Sequence, residues 1–276
     1  MDLVERLAPW IEAEARARPG LVVGLAGPQG SGKSTLAAGL ARRLTAGRLR
    51  PAVLSLDDLY LRRAERRALA ERVHPLLAVR GPPGTHDVAL GLRTLDALRR
   101  PGPASLPRFD KAADDRGAEA ERFTGPANVV LFEGWCLGVQ PEPAGALAVP
   151  VNALERARDA DGRWRAWVHA RLGADYPPLW ARLDRLVVLQ PPSFDVVLGW
   201  RLEQERSLRE RTGKGMSDAE VAVFVQHFER LSRALMRQAG EVADLVVTLD
   251  ERRGALAVEP GAARRGQASN SRPTSL

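Results

Sequence analysis

The chain has 276 residues, 45% hydrophobic and 27% charged, enough for one large globular domain or two small ones around a sizeable core. Of its formal charge of +7, three charges come from residues 251–276, where Arg252, Arg253, Arg264, Arg265 and Arg272 face Glu251 and Glu259; no basic stripe is interleaved with aromatics, which argues against a nucleic-acid binder. Cys136 is the single cysteine, which excludes a disulfide scaffold or a Cys/His metal cluster and fits a reducing cytoplasm, and no apolar run approaches the ~18–20 residues of a membrane span.

Residues 2–17 read as a helix with Leu3, Leu7, Trp10 and Ile11 on one face, without the apolar block of a signal peptide; Pro19-Gly20 ends it. Leu21–Ala26 is a short, β-branched run of the kind a buried parallel strand requires. Gly27-Pro28-Gln29-Gly30-Ser31-Gly32-Lys33-Ser34 follows at once and matches the phosphate-binding pattern G-x-x-x-x-G-K-[ST]. From Thr35 to Leu44 the apolar residues return to helical spacing, and Ala46-Gly47 closes the helix. In that strand–loop–helix setting the glycines bring bare N–H groups against phosphate oxygens, and the helix aims its positive end at the same anion. Gly27, Pro28, Gln29, Gly30, Ser31, Gly32, Lys33, Ser34 and Thr35 are therefore the expected nucleotide cradle. Lys33 reaches the β- and γ-phosphates, and the Ser34 hydroxyl is offered to Mg²⁺.

Further along, Pro51–Leu56 reads as a second strand leading into Asp57-Asp58-Leu59-Tyr60, and residues 61–72 as an exposed helix or loop. Residues 79–85 are a turn-rich connector. His86-Asp87 opens a helix whose apolar set is Val88, Leu90, Leu92, Leu95 and Leu98, broken at Pro101-Gly102-Pro103. Residues 106–111 lead into a polar loop ending near Gly117. Asn128–Glu133 is a near-continuous apolar strand ending in a carboxylate, followed by a turn at 134–138 and a Pro/Ala-rich loop at 140–150. Val151–Leu183 holds two helical stretches, Leu186–Gln190 a strand, and 194–210 a helix with Ser193 as its cap. After a break at 212–216, Ser217 and Glu220 form a capping box for a helix running to about 238, and Leu245–Leu249 is the last strand. Alternating strands and helices argue an α/β fold with a mostly parallel sheet covered on both faces. One domain spans 1–250, with 1–19 as a helix packed on it and 195–225 as a lid; 251–276 is expected to be a flexible basic tail.

In an open parallel sheet the ligand site lies beyond the carboxyl ends of the strands. Two strands deliver acids there: Asp57 and Asp58 after the second, Glu133 at the tip of 128–133. Phosphoryl transfer to an alcohol needs one acid on the metal side and another to accept or orient the hydroxyl proton. Glu133 is assigned to the metal with Ser34, and Asp57 to the hydroxyl. An N-K-x-D guanine element is absent, which argues against a GTPase-like switch.

Ser55-Leu56-Asp57-Asp58-Leu59-Tyr60 resembles the S-x-D-D-F-Y element of P-loop kinases related to uridine kinase and phosphoribulokinase. Four further stretches are similar to the plant-type D-glycerate 3-kinases: Pro83-Gly84-Thr85-His86-Asp87, Leu106–Lys111, Phe132–Gly138, and Trp200-Arg201-Leu202 with Gly213–Asp218. The resemblance implies a P-loop kinase-type three-layer sandwich with a helical lid, ATP and Mg²⁺ as cofactors, and transfer to the 3-hydroxyl of glycerate. Two elements depart from the pattern: Asp115-Arg116-Gly117-Ala118-Glu119 stands where the family has G-R-G-D-R, and Cys136 where it has a methionine.

Glycerate carries a carboxylate, which calls for cations and preferably a bidentate arginine. The expected acceptor set is Asp57, Tyr60, His86, Asp87, Arg108 and Lys111, with Arg108 and Lys111 as its cations. On the lid, Arg201 is expected at the transferring phosphate, and Arg209 and Lys214 at the nucleotide, with Gly213 and Gly215 giving a hinged tip. A uridine or pantothenate kinase, or a non-catalytic ATP-binding regulator, is the alternative; the first predicts aromatic stacking, and 83–116 offers only Phe109.

Overall fold

A computed structural model describes residues 2–117 and 120–262. In chain order the elements are α1 (Leu3–Ala17), β1 (Leu21–Ala26), α2 (Lys33–Ala46), β2 (Pro51–Ser55), α3 (Arg63–Arg72), α4 (Val88–Leu98), β3 (Gly102–Leu106), β4 (Phe109–Asp110), β5 (Asp115–Arg116), β6 (Glu121–Gly125) and β7 (Val129–Gly134). They continue with α5 (Ala153–Arg158), α6 (Arg163–Asp175), α7 (Pro177–Trp180), β8 (Arg185–Gln190), α8 (Asp195–Thr212), α9 (Asp218–Val242), β9 (Leu245–Leu249) and β10 (Ala255–Pro260).

Six strands form the central sheet in the order β10-β9-β8-β1-β7-β2. All neighbours pair in parallel except β10, which runs antiparallel to β9. Alternation along each strand divides the core. Leu21, Val23 and Leu25 of β1, with Val129 and Leu131 of β7, pack on Leu7 and Ile11 of α1 and on Leu36, Leu40 and Leu44 of α2. Val22 and Ala26, with Val130 and Phe132, face the other way onto Leu95 and Leu98 of α4, Leu172 of α6, and Phe228 and Leu231 of α9. The result is a helix–sheet–helix sandwich. A smaller cluster of Phe194, Val197, Val221 and Val225 joins α8 to α9.

The register sets the site. Ser55 of β2 is opposite Glu133 of β7, which is opposite Leu25 of β1, so the ends of β1, β7 and β2 open on one edge.

Several expectations need correction. The segment read as a helix break and polar loop contains two small antiparallel ladders, β3 with β6 and β4 with β5. Helix α8 begins at Asp195 with Phe194 as its N-cap; the Ser193 hydroxyl instead accepts from the Asp195 N–H at 3.2 Å. Helix α9 runs four residues beyond 238, to Val242. The tail does not start at 251, because 255–260 form the edge strand β10; residues 263–276 lie outside the described residues.

Candidate active site

The loop after β1 turns through Gly30 and Gly32, both with left-handed φ (+77° and +88°), and α2 starts at Lys33. A cleft of about 640 Å³ opens above it, lined on this side by Gln29, Gly30, Gly32, Lys33, Ser34 and Thr35. Gly27, Pro28 and Ser31 shape the loop without lining the cleft. The Lys33 ammonium is buried and donates to the Pro28 carbonyl at 3.0 Å. Burial draws its pKa below the ordinary lysine value, against the pull of Glu133 and Asp57.

Glu133 is buried at the end of β7 and lines the cleft. One of its oxygens, Oε1, accepts from the Ser34 hydroxyl at 3.0 Å and from the Ser55 hydroxyl at 2.7 Å. Among the described residues nothing donates to Oε2. A buried carboxylate with a free oxygen, beside a P-loop hydroxyl, is an all-oxygen donor set suited to a hard divalent cation.

Asp57 sits in a 3-10 turn, Leu56–Leu59, that continues β2. Its Oδ1 accepts from the Tyr60 hydroxyl at 2.6 Å and its Oδ2 from the Lys111 ammonium at 2.7 Å. Burial alone would raise the Asp57 pKa; Lys111, the Tyr60 hydroxyl and Lys33 outweigh it and hold the carboxyl well below its usual range. The same pairing raises the Lys111 pKa. Asp57, Tyr60 and Lys111 all line the cleft.

The other three residues of the expected acceptor set do not line it. Arg108 donates to Asp58 at 2.8 Å and to Glu121 at 2.5 Å, so its fork is spent on the protein. Asp58 also accepts from the Phe109 N–H at 3.0 Å, making it the anchor of that corner. His86 is buried behind Tyr60, its ring 4.9 Å from the phenol, with Nδ1 2.6 Å from the Tyr176 hydroxyl. Burial pushes its pKa down to about 3, so the ring is neutral. Asp87 caps α4 through the Leu90 N–H at 2.8 Å and pairs with Arg116 at 3.2 Å. These residues form the wall behind Asp57 and Tyr60.

On α8, Arg201 lines the cleft and pairs with the buried Glu205 at 2.6 Å. Arg209 and Lys214 do not line it: Arg209 ties Asp218 and the Met216 carbonyl into the α8–α9 turn, and Lys214 is exposed at its tip. The cleft face of α8 is instead built on Arg201, Gln204, Leu208 and Arg211 at helical spacing, with Glu203 and Ser207 beside them. Periodicity from Arg201 was the available signal for Gln204 and Arg211. Two further cations escaped the sequence reading. Arg80 comes from the connector before α4, and Arg253 from the β9–β10 turn, in the stretch expected to be a tail. Arg253 donates to the Gly30 carbonyl at 2.8 Å, lies 5.4 Å from the Trp200 ring centre, and pairs with Glu203.

No protein-family model matches the chain. It is 38% identical over 239 residues to the uncharacterized kinase mug58 of Schizosaccharomyces pombe, across 82% of this chain and 85% of that protein. Over 224 residues it is 35% identical to the chloroplastic D-glycerate 3-kinase of Arabidopsis thaliana, covering 76% of this chain and 46% of the plant protein. The chain thus spans about half of the plant enzyme's length. Among solved structures, the D-glycerate 3-kinase of Cryptococcus neoformans matches with a TM-score of 0.78 at 30% identity, over 94% of this chain and 99% of that one.

Proposed function

The chain belongs to the D-glycerate 3-kinase family of P-loop kinases, and on that premise we propose how its own residues carry out ATP-dependent phosphorylation of D-glycerate. The γ-phosphoryl group passes to the 3-hydroxyl, giving 3-phosphoglycerate and ADP. The observation that carries this reading is the placement of the Asp57–Lys111 pair in the same cleft as Lys33, Ser34 and Glu133. That cleft provides an anchored carboxylate for the acceptor beside a cradle for the triphosphate.

The loop N–H groups and Lys33 bind the β- and γ-phosphates. Ser34 and Glu133 would hold Mg²⁺, which when bound would offset the charge of the phosphate oxygens. Asp57 accepts a hydrogen bond from the acceptor hydroxyl and aims its oxygen at the γ-phosphorus. Because Lys111 keeps the carboxyl ionised, its work is orientation first and proton acceptance late, as suits a loose phosphoryl-transfer transition state. Tyr60 fixes one Asp57 oxygen, and His86, Asp87 and Arg108 hold the wall that fixes Tyr60 and Asp58. Arg201, on the lid helix, adds positive charge over the transferring group and helps exclude water.

Residues 2–260 act as one kinase unit, with 195–225 as its lid and the β9–β10 hairpin clasped to the P-loop through Arg253. A cytoplasmic location fits the lone, buried Cys136 thiol. The test is to follow ADP release with Mg·ATP and a panel of D-glycerate, uridine, pantothenate and ribulose 5-phosphate. D-Glycerate-dependent release is expected; turnover of uridine without glycerate would overturn the assignment.

A further inference from the structure

We propose that Arg80 is the carboxylate anchor of the acceptor site and the residue that selects a small hydroxy acid over a neutral polyol. This rests on the glycerate reading above and deepens it. A carboxylate acceptor needs a guanidinium with free N–H groups inside the cleft. Four arginines line the cleft: Arg80, Arg201, Arg211 and Arg253. The last three belong to α8 and the β9–β10 turn, which pack on the P-loop at Gly30 through Trp200 and Arg253. Arg80 alone among them stands at the acceptor end, its guanidinium 5.6 Å from the Phe109 ring centre, with Phe109 in turn edge-on to Tyr60 at 5.2 Å.

Its surroundings leave it charged and partly free. Nη1 donates to Asp114 at 2.5 Å, and no other hydrogen bond holds the group among the described residues. Asp114 must also serve the fully buried Arg66, at 2.8 Å. One carboxylate is therefore shared by two guanidiniums, and Arg80, whose Nε and Nη2 donate to nothing among the described residues, lines the cleft. Arg66 donates to the Ala78 carbonyl at 2.8 Å and to the Asp114 carbonyl at 2.6 Å, which fixes both the connector carrying Arg80 and its partner. A guanidinium so held loses little freedom when it takes a second anion. Arg108, by contrast, has Asp58 and Glu121 on its fork and stays outside the cleft.

The experiment compares the wild type with Arg80→Met and Arg80→Lys, using Mg·ATP with D-glycerate and with glycerol. Losing a charge-assisted fork is expected to raise the KM for D-glycerate about 10- to 100-fold. The KM for ATP should stay within about twofold and glycerol turnover should be unchanged, so the preference for the acid over the polyol collapses. Arg80→Lys, which keeps the charge but not the fork, should recover part of the loss. A glycerate KM unchanged in Arg80→Met overturns the inference, as does a loss that falls equally on ATP, glycerol and glycerate. Absence of glycerate turnover in the wild type itself would instead overturn the proposed function, and this inference with it.

Discussion

The Lys111 ammonium lies 2.7 Å from the Asp57 carboxylate, and this pair sets the ionisation of the acceptor side of the cleft. Asp57 has a folded pKa depressed below its ordinary 3.8. Its ionised form therefore stabilises the fold above pH 3.8, and that contribution is lost as pH falls through the depressed folded value. In the wild type, Asp57 gives no acidic limb to kcat/KM across the neutral range. In Lys111→Met, burial is left as the dominant influence and raises the Asp57 pKa. An acidic limb should then move up toward neutrality, read in a pH–rate profile; an unmoved profile removes Lys111 from the control of Asp57.

Gly30 combines a left-handed backbone with a close neighbour. A β-carbon there would stand 2.5 Å from Cβ of Trp200, at a φ that costs a non-glycine residue about 1–2 kcal/mol. Gly30→Ala should lower the melting temperature by a few degrees and weaken ATP binding by pushing α8 off the loop. Calorimetry with and without nucleotide separates the two effects.

Arg253 ties the β9–β10 turn to the P-loop carbonyl of Gly30 and to Trp200, whose indole N–H donates to the Glu251 carbonyl at 2.6 Å. Arg253→Ala removes both of its ties, leaving the indole bond to Glu251, without touching the acceptor side. The expected result is a KM for ATP raised about 3- to 10-fold with the KM for glycerate unchanged, measured by steady-state kinetics.

Glu155 of α5 and Arg230 of α9 are buried and joined by two hydrogen bonds, at 2.8 and 2.6 Å. Arg230 also donates to the Ala146 and Val149 carbonyls. Glu155→Gln leaves an uncompensated buried cation and should cost about 3–5 kcal/mol of stability by denaturant titration, with kcat little changed at a temperature where the variant is folded.

What the sequence made legible follows from the range of the interactions involved. The P-loop, the strand tips at Asp57 and Glu133, and the alternation of strands and helices are written in short contiguous stretches, each with its own pattern. The β3–β6 ladder was not visible because only Ala104 and Leu106 of β3 turn inward, and Pro103 reads as a breaker although an edge strand tolerates it. Strand β10 was hidden for a related reason: its pattern is weak, and its pairing with β9 supplies most of what orders it.

Side-chain assignment failed where charge alone was the guide. Arg108 and Arg80 are both loop arginines, and only the positions of Asp58, Glu121 and Asp114 decide which one is spent on the protein and which faces the cleft. His86 and Asp87 sit beside motif residues in the chain but serve Tyr176 and the α4 N-terminus. On α8, the same charge type is found on the cleft face at Arg211 and on the turn at Arg209, two residues apart and pointing in different directions.

The central claim is that Asp57 orients the acceptor hydroxyl beside the nucleotide cradle. Its most direct measurement is kcat for D-glycerate-dependent ADP release by Asp57→Asn under saturating Mg·ATP. A fall of about 10²- to 10⁴-fold, in a protein that still binds ATP as the wild type does, is the predicted result. A turnover equal to that of the wild type would contradict the account.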